Sequence, residues 1–157
     1  MAAKPVPEGY HTVTPYLAVD DAAQAIEFYK RAFGAQERMR MPMPDGKIGH
    51  AELQIGNSVI MLSDPFPQSN VKPPKEIGGT SAGVFLYVED VDALWQQAVD
   101  AGATPTTPVE DMFWGDRFGT VTDPYGHSWQ IATHKEDLTP EEIAERGREA
   151  MAAMSST

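Results

Sequence analysis

The sequence predicts an α+β fold in which a β-α-β-β-β module occurs twice and is followed by a C-terminal helix. Three observations predict it: an internal repeat, an amphipathic helical segment in each copy, and strand-like runs between turn signals after each helix. The repeat is seen where Tyr16-Leu17-Ala18-Val19-Asp20-Asp21 matches Phe85-Leu86-Tyr87-Val88-Glu89-Asp90, an offset of 85 − 16 = 69 residues. Each apolar run has an acidic end and leads into a segment of helical period, which closes at Gly34-Ala35 in one copy and Gly102-Ala103 in the other.

The first helix is expected to start at a capping Asp21. Its apolar positions Ala22, Ile26, Tyr29 and Phe33 share one face, and Gly34 terminates it. Strands follow over Gln36–Met41, Gly49–Ile55 and Ser58–Ser63, separated by Pro44-Asp45-Gly46 and Gly56-Asn57. In the second copy Asp90 caps a helix with Val91, Leu94, Trp95 and Ala98 at i, i+3, i+4 and i+7, and Gly102 ends it. A weaker strand near Val109–Phe113 precedes Phe118–Thr122 and Ser128–Thr133, the last two joined by Asp123-Pro124-Tyr125-Gly126. Thr139-Pro140-Glu141-Glu142 is a capping box with Pro at the first helical position, so a last helix begins there. The chain thus divides into an N-terminal arm (1–11), module 1 (12–63), a Pro/Gly-rich connection (64–80), module 2 (81–134), and a C-terminal helix and tail (135–157). The connection reads as an unstructured linker long enough to form a lid or rim.

Composition narrows the function. A length of 157 residues suits one domain, and 12 Lys+Arg against 23 Asp+Glu give a net charge of −11, which opposes a nucleic-acid backbone partner. With no cysteine there is no disulfide, thiolate metal site or cysteine nucleophile, as suits a reducing compartment. No stretch approaches the ~20 apolar residues of a membrane span, and the start lacks a signal-peptide core. A cytoplasmic protein with no membrane partner is expected.

Local wording adds a resemblance. Pro15-Tyr16-Leu17, Ala25-Ile26-Glu27-Phe28-Tyr29 and Ala32-Phe33-Gly34-Ala35, with Trp114-Gly115-Asp116-Arg117 and Asp123-Pro124-Tyr125-Gly126-His127-Ser128-Trp129, are similar to the vicinal oxygen chelate superfamily. Within it they resemble the PhnB-like, glyoxalase/bleomycin-resistance subgroup. The resemblance spans roughly Thr12 to His134. It implies a half-open barrel with a concave ligand cavity, a homodimer, and in enzymatic members a divalent metal such as Zn, Ni, Mn or Fe held by His and Glu. The implied metal positions fall on Thr14, Met61, Gly83 and Gln130. That set lacks the imidazoles and carboxylates a divalent ion needs, so no metal or other cofactor is expected.

Strand alternation then sorts the side chains, because residues two apart share a face. Tyr16, Met61, Phe85, Tyr87 and Gln130 fall on the cavity side, and Leu17, Val19, Leu86, Trp129 and Ile131 on the helix side. His50, Glu52 and Gln54 also face the cavity. His50 and Glu52 are either an acid/base dyad, a displaced metal pair or an ordinary polar pair. Trp114 either stacks on a planar ligand or is structural, and Arg117 either meets a ligand carboxylate or pairs with Asp116 or Glu110.

Two functions follow. One is a binding protein that sequesters a planar or apolar, and by charge complementarity cationic, small molecule, as antibiotic-resistance proteins of this superfamily do. Its groove is lined by Tyr16, Met61, Phe85, Tyr87, Trp114, Arg117 and Gln130. The other is a lyase-, isomerase- or dioxygenase-type enzyme acting through His50 and Glu52, with or without a divalent metal.

Overall fold

The computed structural model describes residues 2–156. Elements follow the order β1 (Tyr16–Ala18), α1 (Ala22–Phe33), β2 (Gln36–Pro42), β3 (Ile48–Ile55), β4 (Ser58–Ser63), α2 (Pro74–Ile77), β5 (Gly83–Tyr87), α3 (Val91–Ala101), β6 (Thr104–Asp111), β7 (Asp116–Thr122), β8 (Ser128–His134) and α4 (Pro140–Met154). They form two open four-stranded sheets ordered β1-β4-β3-β2 and β5-β8-β7-β6. In each, the first strand runs parallel to the last and the remaining pairs are antiparallel.

The repeat is preserved down to register. Tyr16 pairs with Met61, and Phe85 pairs with Gln130. Helix starts repeat too: the Asp64 carboxylate accepts from Ala22 N at 3.2 Å, and in module 2 the Thr133 hydroxyl accepts from Val91 N at 2.9 Å. Both members of that second pair lie 69 positions on, since 91 − 22 and 133 − 64 are equal. Asp21 and Asp90 cap α1 and α3 through Gln24 N and Ala93 N, and Gly34 takes the left-handed conformation (φ 66°) that ends α1. Thr139 and Glu142 form the reciprocal capping box of α4.

The helix-facing side chains make one core that crosses the two modules. Leu17, Val19, Leu53, Leu62, Trp129 and Ile131 are buried with Ile26, Phe28 and Tyr29 of α1. Helix α1 packs against α3, and Trp129 of module 2 sits 4.3 Å from the Phe33 ring and 5.2 Å from Tyr29, centroid to centroid. The Asp123-Pro124-Tyr125-Gly126 turn locks this contact. Buried Asp123 accepts from Tyr29 Oη at 2.6 Å, from Trp129 Nε1 at 2.9 Å, and from the backbone N–H groups of Tyr125 and His127, both at 2.9 Å. Four donors on one carboxylate offset the cost of burying it.

Two elements depart from the sequence expectation. Strand β6 begins at Thr104 and ends at Asp111, so it is earlier and longer than Val109–Phe113. Pro105 and Pro108 obscure it in the sequence, yet β6 is an edge strand with register shifts, where a missing N–H is tolerated. The connection carries one helical turn, α2, which starts at buried Pro74 and is closed by Gly78 in the left-handed conformation (φ 76°) with its N–H donating to Pro74 O. A Cβ on Gly126, already at φ +92°, would lie 2.8 Å from Pro74 Cβ.

Candidate functional site

Cavity-side residues collect on two separate sheet faces. On module 1, β3 brings His50 and Glu52 beside Tyr16 of β1 and Met61 of β4. His50 Nε2 lies 3.1 Å from Glu52 Oε1, and His50 Nδ1 lies 3.1 Å from Tyr16 Oη. The N-terminal arm adds Tyr10, whose hydroxyl donates to Glu52 Oε2. Because a carboxylate only accepts, the contact with Glu52 places a proton on His50 Nε2, and Nδ1 shares a hydrogen bond with the Tyr16 hydroxyl. The Tyr10 hydrogen bond, with smaller help from His50, holds the Glu52 carboxyl below its ordinary range against the opposing effect of burial. Tyr10 is raised in turn by the same bond. Four side chains therefore form a continuous hydrogen-bonded chain able to carry a proton between a tyrosine and a carboxylate.

On module 2, β5 supplies Phe85 and Tyr87, β7 supplies Asp116 and Phe118, and β8 supplies Gln130 and His134. Phe85 stacks on Phe118 at 5.8 Å and lies 4.9 Å from Tyr87, while Trp114 meets Phe118 edge-on at 5.5 Å. Asp116, 3% exposed, is the polar centre of this face. It accepts from Tyr87 Oη at 2.9 Å and Trp114 Nε1 at 3.1 Å, and His134 Nδ1 lies 2.8 Å away. His134 Nε2 lies 2.8 Å from Asp137. Hydrogen bonding to Asp116 first and Asp137 second raises the His134 pKa, so the imidazolium donates from both nitrogens.

Within one chain the cavity-side residues lie along two separate faces. The groove of about 870 Å³ beside Phe85 and Tyr87 has Thr14, Val59 and Ile60 of module 1 in its lining, whereas Tyr16, Met61, Trp114, Arg117, Phe118 and Gln130 lie outside it. Met61 and Glu52 line a different cavity of about 460 Å³ beneath the arm. The reason is the shared helix layer, since both sheets give their apolar face to α1 and α3. Arg117 is also displaced from the expected set. Alternation puts it opposite Asp116, where it makes bidentate contacts to Asp92 of α3 at 2.7 and 2.9 Å and a third to Asp111 at 3.2 Å. Trp114 does join the aromatic face, and Gln130 sits in register with Phe85.

Sequence reasoning missed Tyr10, Asp116, Phe118 and His134. His134 shares the parity of Gln130, and that parity places it on the cavity side. Asp116 lies within the Trp114-Gly115-Asp116-Arg117 motif, where its neighbour Arg117 suggests a local ion pair, and Tyr10 precedes β1, where alternation gives no guidance.

Comparison with known proteins agrees with this architecture. Residues 10–131 match the Glyoxalase/Bleomycin resistance protein/Dioxygenase superfamily. The chain belongs to that superfamily. It is 46% identical over 147 residues to the uncharacterized protein Mb0911c of Mycobacterium bovis, covering 92% of each chain. The crystal structure of TioX from Micromonospora sp. ML1 is 29% identical with a TM-score of 0.63, covering 79% of this chain and 98% of that one. The PhnB protein from Bacillus cereus, 18% identical with a TM-score of 0.62 over 78% of this chain and 99% of that one, shares the fold.

For this glyoxalase-superfamily chain, the metal positions implied by the resemblance offer a hydroxyl (Thr14), a thioether (Met61), an amide (Gln130) and no side chain (Gly83). That donor set does not fit a divalent ion. Nor is there, among the described residues, another group of three His, Asp or Glu able to hold one. Among the same residues, no helix is long and apolar enough to cross a membrane.

Proposed function

We propose that this protein binds a planar, apolar and preferably cationic small molecule on the aromatic face of module 2, holding it without chemical change. One observation carries the reading: Phe85 and Tyr87 stand 41% and 65% exposed, side by side, along a groove of about 870 Å³. Paired large aromatics left open to water on a sheet face cost free energy that a stacking guest recovers. The net charge of −11 draws in cations, and buried Asp116 fixes the tilt of Tyr87 and Trp114. Bleomycin resistance gives the superfamily part of its name, and sequestration of a toxic guest is the resistance mechanism this reading implies. We place the protein in the cytoplasm, which its cysteine-free composition suits, and expect it to act as a homodimer. The free edges of β1 and β5 and the separation of the two faces within one chain support a second copy completing each groove.

A second reading is favoured by the Tyr10–Glu52–His50–Tyr16 chain, which has the composition of a general acid/base relay. The test is a fluorescence titration with bleomycin and with the flat cationic dye proflavine. Under the binding reading, a Phe85→Ala, Tyr87→Ala double variant stays folded and loses affinity at least about tenfold, while His50→Ala, Glu52→Ala retains it. Unchanged affinity in the first variant rejects the assignment of the face.

A further inference from the structure

The arm that reaches Glu52 has the form of an occupant rather than a wall. Residues 2–9 are exposed, and Tyr10 is the arm's first residue that is not. A turn closed by Tyr10 N donating to Pro7 O at 3.2 Å, with Gly9 at φ +84°, aims the ring inward. Its hydroxyl then donates to Glu52, and its ring lies 4.8 Å from the Arg38 guanidinium carbon in a cation–π contact. Beyond this, the arm is held by His11 Nε2 at 3.1 Å from Asn57 O. The cavity of about 460 Å³ around the ring has Thr14, Glu52 and Met61 on the module side and Pro5, Val6 and Pro7 on the arm side.

A phenol ring under a guanidinium, with its hydroxyl on a carboxylate, in a cavity that Met61 also lines, describes what this cavity recognises. We propose that the concave face of module 1 is a second binding site, specific for small molecules bearing a phenol, and that Tyr10 is its built-in competitor. Glu52 takes the ligand hydroxyl, Arg38 covers the ring, and the His50–Tyr16 pair behind Glu52 holds the carboxylate in place. A guest enters by displacing the arm, so its apparent affinity is lowered by the fraction of molecules in which Tyr10 is seated. The site is distinct from the aromatic face of module 2 and stands on different residues.

The experiment uses 4-methylphenol, the tyrosine side chain as a free molecule, with toluene as the control lacking the hydroxyl. Binding is followed by ¹H–¹⁵N chemical-shift titration of the whole chain. Tyr10→Ala is expected to bind 4-methylphenol about tenfold more tightly than the unaltered protein, the competitor having been removed. Shifts should centre on His50, Glu52 and Met61, and toluene should produce none there. Adding Glu52→Gln to Tyr10→Ala is expected to abolish the gain, with dispersed amide spectra showing that each variant is folded. Phe85→Ala leaves the 4-methylphenol result unchanged, which separates this site from the module 2 face. Equal affinity in the unaltered protein and Tyr10→Ala, or affinity that survives Glu52→Gln, overturns the proposal.

Discussion

Tyr29 and Asp123, 94 positions apart and in different modules, are joined by a buried hydrogen bond of 2.6 Å. Burial, with Asp123 beside it, raises the Tyr29 pKa well above its ordinary value, so the phenol remains a donor throughout the working pH range. Tyr29→Phe removes one of four donors to Asp123 and should cost about 1 kcal/mol. Asp123→Ala strands Tyr29 Oη, Trp129 Nε1 and two backbone N–H groups and should cost at least about 3 kcal/mol. Urea denaturation of the two variants measures the difference, and equal costs would contradict the staple.

His134 should titrate above its ordinary value of 6.5, because Asp116 and Asp137 both favour its charged form. A group whose pKa is raised on folding contributes stability that is complete below the unfolded value and lost as pH rises through the folded one. Stability should therefore decline from about pH 6.5 upward, and His134→Gln should flatten that decline. NMR titration of the ring gives the pKa directly, and Asp116→Asn is expected to lower it.

Metal content follows from the donor set. Protein dialysed against Mn²⁺, Ni²⁺, Zn²⁺ or Fe²⁺ and then against buffer should retain far less than one ion per chain by plasma mass spectrometry, since Thr14, Met61, Gly83 and Gln130 offer nothing to anchor it. Retention near one per chain, lost on His50→Ala, Glu52→Ala, would move the metal to those two residues.

Much of the fold is legible because local and tertiary signals agree. Asp21, Gly34, Asp90, Thr139 and Glu142 are caps whose chemistry is local, and alternation sorts Leu53 from Glu52 without knowledge of the tertiary structure. The 69-residue repeat supplies the register that pairs Tyr16 with Met61 and Phe85 with Gln130. What is hidden depends on distant partners. Asp123 reads as turn chemistry, and only the packing of α1 on β8 reveals it as the junction between modules. Asp64 sits at the start of the connection, yet its carboxylate holds Ala22 N and Ile48 N. The split of the site into two faces depends on how the helix layers meet, which neither copy of the repeat encodes alone. Arg117 adjoins Asp116 in sequence, yet neighbours on a strand point to opposite faces, and its side chain meets Asp92 on the helix side.

A planar cationic guest is expected to rest on Phe85 and Tyr87. The most direct test is a ¹H–¹⁵N titration of the labelled protein with proflavine. Saturable shifts are expected on Phe85, Tyr87, Phe118 and Gln130, absent from the Phe85→Ala, Tyr87→Ala variant. Saturation with no movement in β5, β7 or β8, or the same shifts in that double variant, would contradict it.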